Sequence, residues 1–169
     1  MSGIVNTTGA VSGIIGTTVG TPSGGKVVQV VQSTASDLYT YTTNTFGSVM
    51  TNPTLTITLT DNTNKLLILC HVHRAMPSNV YLYFDLKRVI SGGATTSNLS
   101  GETEGLARFG GPLYTSNWSD PIAFNYLDSP GTASELTYQI TFRNNDGITA
   151  VQGGNNDGLT TITGLEIDV

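Results

Sequence analysis

The chain is poor in charge and nearly without cysteine. Of its 169 residues only 11% are charged, and a single cysteine, Cys70, is present. One cysteine excludes an internal disulfide and removes the thiolate cluster of a structural zinc site. The seven basic residues are scattered, with Lys87-Arg88 the one adjacent pair, and the formal net charge is −5. Phosphate-backbone binding needs a clustered positive field, so nucleic acid is not an expected partner. No segment approaches the roughly 20 apolar residues of a membrane helix. No basic stretch followed by an apolar run marks the N-terminus, so synthesis in the cytoplasm without a membrane partner is expected. Apolar residues still make up 38% of the chain, which is too many for a disordered composition. The three Asn-x-Ser/Thr triplets, at Asn6, Asn98 and Asn117, read as chance matches in a chain rich in Ser, Thr and Asn.

What the chain does have is β pattern and turn chemistry. Thr54–Thr60 (TLTITLT) alternates threonine with Leu55, Ile57 and Leu59, the period-two signature of a strand with one buried and one wet face. Lys26–Gln32 and Asp37–Thr43 are further strand candidates. Lys65–Arg74, with Leu66, Leu67, Ile68, Leu69 and Val72, reads as a strand buried on both sides, with Cys70 inside it. Asn79–Ile90 alternates again, placing Val80, Leu82, Phe84 and Leu86 opposite Tyr81, Tyr83, Asp85 and Lys87. Residues 91–119 are predicted to form a long irregular excursion holding one short strand, Gly105–Phe109. Pro121–Leu127, Leu136–Arg143, Ile148–Val151 and Leu159–Ile167 complete the series. Asn-Asn-Asp-Gly turns at 144–147 and 155–158 favour tight reversals, so the closing segment reads as an antiparallel meander. No amphipathic helix is evident. Roughly nine to ten short strands between turn clusters predict an all-β, antiparallel β-sandwich or jelly roll over 25–169.

Ahead of it stands a different segment. Ser2–Val11 and Ser12–Thr21 are near-copies of each other, and Pro22-Ser23-Gly24-Gly25 follows them as a linker. Two copies are too few for a solenoid, and the glycines oppose a helix. Residues 1–24 are therefore expected to form an extended arm. It carries Ile4, Val5, Val11, Ile14, Ile15 and Val19 with no charged side chain, so it should dock on a partner.

Chemistry-bearing constellations are few. His71 and His73 flank Val72 and would share one strand face, but no further ligands stand nearby, so no metal or other cofactor is expected. The two Asn-Asn-Asp-Gly turns lack the acidic ligands of a calcium loop. Glu102 and Glu104 read as solvated loop acids, and no nucleophile elbow or phosphate loop occurs. The chain is expected not to be an enzyme. Tyr81 and Tyr83 are candidates for a subunit interface. Tyr114 and Trp118 are candidates for contact with glycans, since aromatic faces stack on sugar faces.

Gly25–Val31 (GKVVQVV), Leu55–Thr60, Lys65–Leu69 (KLLIL), Tyr126–Thr132 (YLDSPGT) and the closing Ile162–Ile167 together resemble proteins encoded among virion genes of marine tailed bacteriophages, of fibre-like or decoration-like type. The resemblance spans nearly the whole chain. It implies a virion component, made in the host cytoplasm and held through its arm by capsid or other virion proteins. A capsid decoration or head fibre is the first reading, and a tail-fibre module recognising host glycans is the alternative. Fold analogy with trimeric jelly-roll modules implies a homotrimer.

Overall fold

The computed structural model describes residues 25–36, 39–41, 45–46, 48–76, 81–110, 118–144, 150–152 and 158–169. Eleven strands follow one another: β1 Val27–Ala35, β2 Tyr39–Tyr41, β3 Ser48–Thr58, β4 Lys65–Met76, β5 Tyr81–Ile90, β6 Thr95–Thr96, β7 Ala107–Gly110, β8 Trp118–Asp128, β9 Glu135–Asn144, β10 Ala150–Gln152 and β11 Thr160–Ile167. Among the described residues there is no helix, and none therefore long and apolar enough to cross a membrane.

Nine strands build two antiparallel sheets. The first runs β1-β11-β4-β8; the second runs β3-β9-β5, with β6 and β7 both pairing β5, and β2 and β10 form a separate ribbon. Along the chain the strands pass repeatedly from one sheet to the other, and sequence neighbours rarely pair. This is the double Greek-key path of a jelly roll. The expected closing meander is not formed. β9 lies in the second sheet, β10 pairs β2, and β11 inserts between β1 and β4. The predicted Asn-Asn-Asp-Gly turns fall almost wholly outside the described residues; the strands they were expected to join into one meander belong to three different sheets.

Period-two alternation fills the space between the sheets. Leu66, Ile68, Cys70 and Val72 of β4 face Leu82, Phe84 and Leu86 of β5 and Leu136, Tyr138, Ile140 and Phe142 of β9, all at most 3% exposed. The Phe84 ring lies 6.1 Å from Phe124 and 6.5 Å from Phe142, tying three strands together. Each such side chain contributes about 1.5–3 kcal/mol through burial. Gly164 of β11 lets the sheets close up, since a Cβ there would sit 2.8 Å from Leu55 Cδ2.

One end of the sandwich is closed by polar groups. Register places Gln29, Glu166, Leu66 and Asp128 in one row across the first sheet. Glu166, fully buried, accepts from Asn64 Nδ2 at 2.6 Å, Thr60 N and Oγ1 at 2.7 Å each, and Gln29 Nε2 at 2.5 Å. Burial opposes ionisation there, but these donors outweigh it and hold the carboxyl below the ordinary glutamate range. Asp128 receives Arg88 Nη1 at 2.7 and 2.8 Å and the Tyr138 hydroxyl at 2.6 Å, so the pair bridges β8 of one sheet to β5 and β9 of the other. Burial and then the Asp128 contact push the Tyr138 hydroxyl upward, keeping it a donor.

Candidate functional site

The sequence predicted β4 as buried on both sides, and the structure corrects this. Leu66, Ile68, Cys70 and Val72 point inward, whereas Leu67 is partly open and Leu69 is 42% exposed. A continuous apolar run serves one core and one outer face here: Leu69 stays open to solvent on that outer side, and among the described residues only its far end, at His71 and His73, meets Gly158 and Leu159.

Reading the register across the four strands defines that outer face. Its first row is Val30–Leu165–Leu67–Leu127, its second Gln32–Thr163–Leu69–Asn125, and its third Thr34–Thr161–His71–Ala123. Val30 is 59% exposed and Leu127 49%. Gln32 Nε2 donates to Thr163 Oγ1 at 2.9 Å, so part of the second row satisfies itself. A chain with 7 basic and 12 acidic residues places none in these rows. Lys65, paired with Ile167, stands at the margin. Strands about 4.8 Å apart and rows about 7 Å apart give a patch of roughly 300–400 Å². It is about half of the ~800 Å² per partner that a stable interface uses.

The edges of the sheets are not treated alike. β8, at one side of the first sheet, carries Asp120 and Pro121, and β3, at the edge of the second, carries Pro53. β1 forms the remaining edge of the first sheet, and its nine residues VVQVVQSTA include no charge and no proline. Prolines and charges are the usual guards against strand addition; among the described residues β1 is guarded only by a bulge between Val27 and Gln29 and by β3 beside it, where Gln29 Nε2 donates to Thr58 O at 2.8 Å.

The expected site residues are distributed elsewhere. The arm positions Ile4, Val5, Val11, Ile14, Ile15 and Val19, and Tyr114, lie outside the described residues. Trp118 opens β8, its backbone paired with that of Met76. Tyr81 and Tyr83 sit on the outer side of β5, their ring centroids 6.3 Å apart. The Arg143 guanidinium lies 3.9 Å from the Tyr83 centroid and Arg108 5.2 Å from that of Tyr81. Tyr83 is 8% exposed, and Arg143 also donates to Thr103 O, which ties the loop after β6 to this stack.

His71 and His73 do share the outer face of β4; His71 Nδ1 is 3.3 Å from Leu159 O, and His73 Nδ1 is buried without a hydrogen-bond partner. Among the described residues no three His, Cys, Asp or Glu side chains gather to hold an ion. Glu104 pairs with Arg108 at 3.1 Å, and Glu102 is exposed. Buried Asp85 is structural: Leu99 N and Ser100 N donate to it at 3.1 and 3.2 Å, and the Ser100 hydroxyl also binds it, pinning the loop to β5.

The two sheets and their crossing path define the chain as an antiparallel jelly-roll β-sandwich. No family model matches it, and no curated protein does. Among solved structures it is similar to a chain of the infectious bursal disease virus Gx strain structure, with 14% identity and a TM-score of 0.37, over 82% of this chain. It spans only 39% of that chain's length.

Proposed function

We propose that this is a non-catalytic structural protein of a bacteriophage particle, of the capsid-decoration or head-fibre type. It sits on the shell through the outer face of its first sheet and through its N-terminal arm. The observation that carries the reading is the uncharged face Val30–Leu165–Leu67–Leu127 with Leu69, bounded by the edge strand β1. A surface so sparing of charge in a chain of net charge −5 suits a permanent contact, where water is expelled and no counter-charge has to be matched. The face alone supplies about half the area of a stable interface, and the uncharged arm adds the remainder. The resemblance of GKVVQVV, KLLIL and YLDSPGT to virion proteins of tailed phages points the same way.

Binding to particles of the parent phage stripped of this protein tests the reading. The Leu69→Lys/Leu127→Lys variant changes two outward side chains and should keep the circular dichroism and unfolding midpoint of the parent chain, since surface substitutions usually cost within about 0.5 kcal/mol each. It should fail to co-sediment with particles, as should a chain lacking residues 1–24. Undiminished binding of the lysine variant refutes the face, and undiminished binding of the shortened chain refutes the arm. Specific retention on a glycan array instead supports the tail-fibre alternative.

A further inference from the structure

The edge of β1 is matched to a second copy of itself. We propose that two copies of this chain join edge to edge through Gln29–Ala35, antiparallel about a two-fold axis at Gln32, so that their first sheets run together as one continuous sheet.

Among the described residues β1 pairs with β11 alone, so the other side of its backbone ends the first sheet. An edge strand offers its N–H and C=O groups to another chain unless something blocks it. The two features that guard β1 leave its second part clear. The bulge lies between Val27 and Gln29, and from Gln29–Glu166 to Ala35–Thr160 the register on β11 runs unbroken. β3 meets β1 through an inward side chain: Gln29 Nε2 donates to Thr58 O at 2.8 Å and to buried Glu166 at 2.5 Å. No backbone ladder joins β1 and β3 among the described residues. This contact therefore lies on the core side of β1, out of the plane of its sheet. Gln29–Ala35 carries no charge and no proline, and its outward residues Val30, Gln32 and Thr34 are exposed.

Two-fold pairing requires a strand that matches itself in reverse. An axis at Gln32 uses the whole regular run. On the outer face Val30 then stands opposite the partner's Thr34 and Gln32 opposite the partner's Gln32; on the inner side Val31 meets the partner's Ser33 and Gln29 the partner's Ala35. Outward residues meet outward ones, β-branched Val30 meets β-branched Thr34, and no like charges face each other. Gln32 Nε2 donates to Thr163 Oγ1 at 2.9 Å. An amide has a second N–H and a carbonyl oxygen, and both remain for the partner's Gln32. An axis at Val31 draws the bulged Val28 into the ladder, and one at Ser33 leaves Gln29 and Val30 outside the run. Joined about Gln32, the rows Val30–Leu165–Leu67–Leu127 of both copies lie on one surface. Two patches of roughly 300–400 Å² together approach the ~800 Å² per partner of a stable interface. The pairing thus serves the particle contact proposed above without resting on it.

The test uses the isolated full-length chain, without particles. Sedimentation equilibrium across the micromolar range should give twice the chain mass. Gln32→Lys and Gln32→Glu change one exposed side chain and should keep the circular dichroism of the parent. Each alone should give the single mass, because the axis sets two like charges face to face. An equal mixture of the two should recover the doubled mass, since lysine then faces glutamate. Leu69→Lys/Leu127→Lys should stay dimeric, which separates failure of the pairing from failure of the particle contact. A parent chain of single or three-fold mass overturns the proposal. So do single Gln32 variants that remain dimeric, and a mixture that remains monomeric.

Discussion

Replacing Glu166 with glutamine changes one oxygen for one NH₂ and should cost far more than its size suggests. The carboxylate is fully buried and takes three donors on Oε1, from Thr60 N, Thr60 Oγ1 and Asn64 Nδ2, and one on Oε2, from Gln29. The amide does best with its oxygen on the three-donor side, which leaves its nitrogen facing Gln29 Nε2. Gln29 cannot simply turn over, because the same nitrogen donates to Thr58 O at 2.8 Å. One buried donor is left unsatisfied, at about 1–3 kcal/mol, and three charge-assisted bonds become neutral, at about 1 kcal/mol each. Relief from burying a charge offsets part of this, so Glu166→Gln should lose about 2–4 kcal/mol at neutral pH.

The pH dependence separates this account from a plain packing defect. The folded carboxyl titrates below its ordinary value of 4.5. Its stabilisation is therefore complete above the unfolded value and is lost as pH falls through the folded one. Urea unfolding of both proteins from pH 7 to pH 3 should show the gap between them shrinking below about pH 4.5. The other carboxyls are common to both chains and cancel in the difference. A gap under about 0.5 kcal/mol at pH 7, or one that stays constant down to pH 3, refutes the reasoning.

Two more substitutions probe how the sheets are held together. Asp128→Ala strips Arg88 and Tyr138 of their shared acceptor and should cost about 3–5 kcal/mol in urea unfolding; Arg88→Met/Asp128→Leu/Tyr138→Phe should recover to within about 2 kcal/mol of the parent. A mild single variant, or a triple as unstable as the single, contradicts the bridge. Gly164→Ala drives a methyl to 2.8 Å from Leu55 Cδ2 and 3.3 Å from Leu66 Cδ1, for about 1–3 kcal/mol of overpacking. Adding Leu55→Ala should couple favourably by at least about 0.5 kcal/mol in a double-mutant cycle, and simple additivity would show that the contact is not the cause.

Much of the sandwich is legible in the sequence because alternation is a local property. TLTITLT announces Leu55, Ile57 and Leu59 as inward without reference to any other segment, and the inward set Leu82, Phe84 and Leu86 follows in the same way. Strand partners are not local, which is why the Asn-Asn-Asp-Gly turns suggested a meander that the crossing path does not contain. The polar end is written in the same alternation. Counting by twos from Leu82 reaches Arg88, from Phe124 reaches Asp128 and from Ile162 reaches Glu166. Three charges therefore fall at core positions of their strands, and a charge there needs a partner. Which partners they find depends on how the two sheets face each other, and no single strand records that.

The outer face was hidden for the opposite reason. KLLILCHV looks the same whether a strand is covered on both sides by protein or on one side by protein and on the other by a partner, since burial selects apolar residues whatever does the burying. The two cases differ only in the neighbours. Here Leu67 and Leu69 are joined across the sheet by Val30, Leu165 and Leu127 from three other strands, so the excess of apolar residues is coordinated across the sheet rather than confined to β4. A lone outward leucine needs no explanation. An uncharged row contributed by four separate strands does need one, and it is the feature that the proposed particle contact would cover.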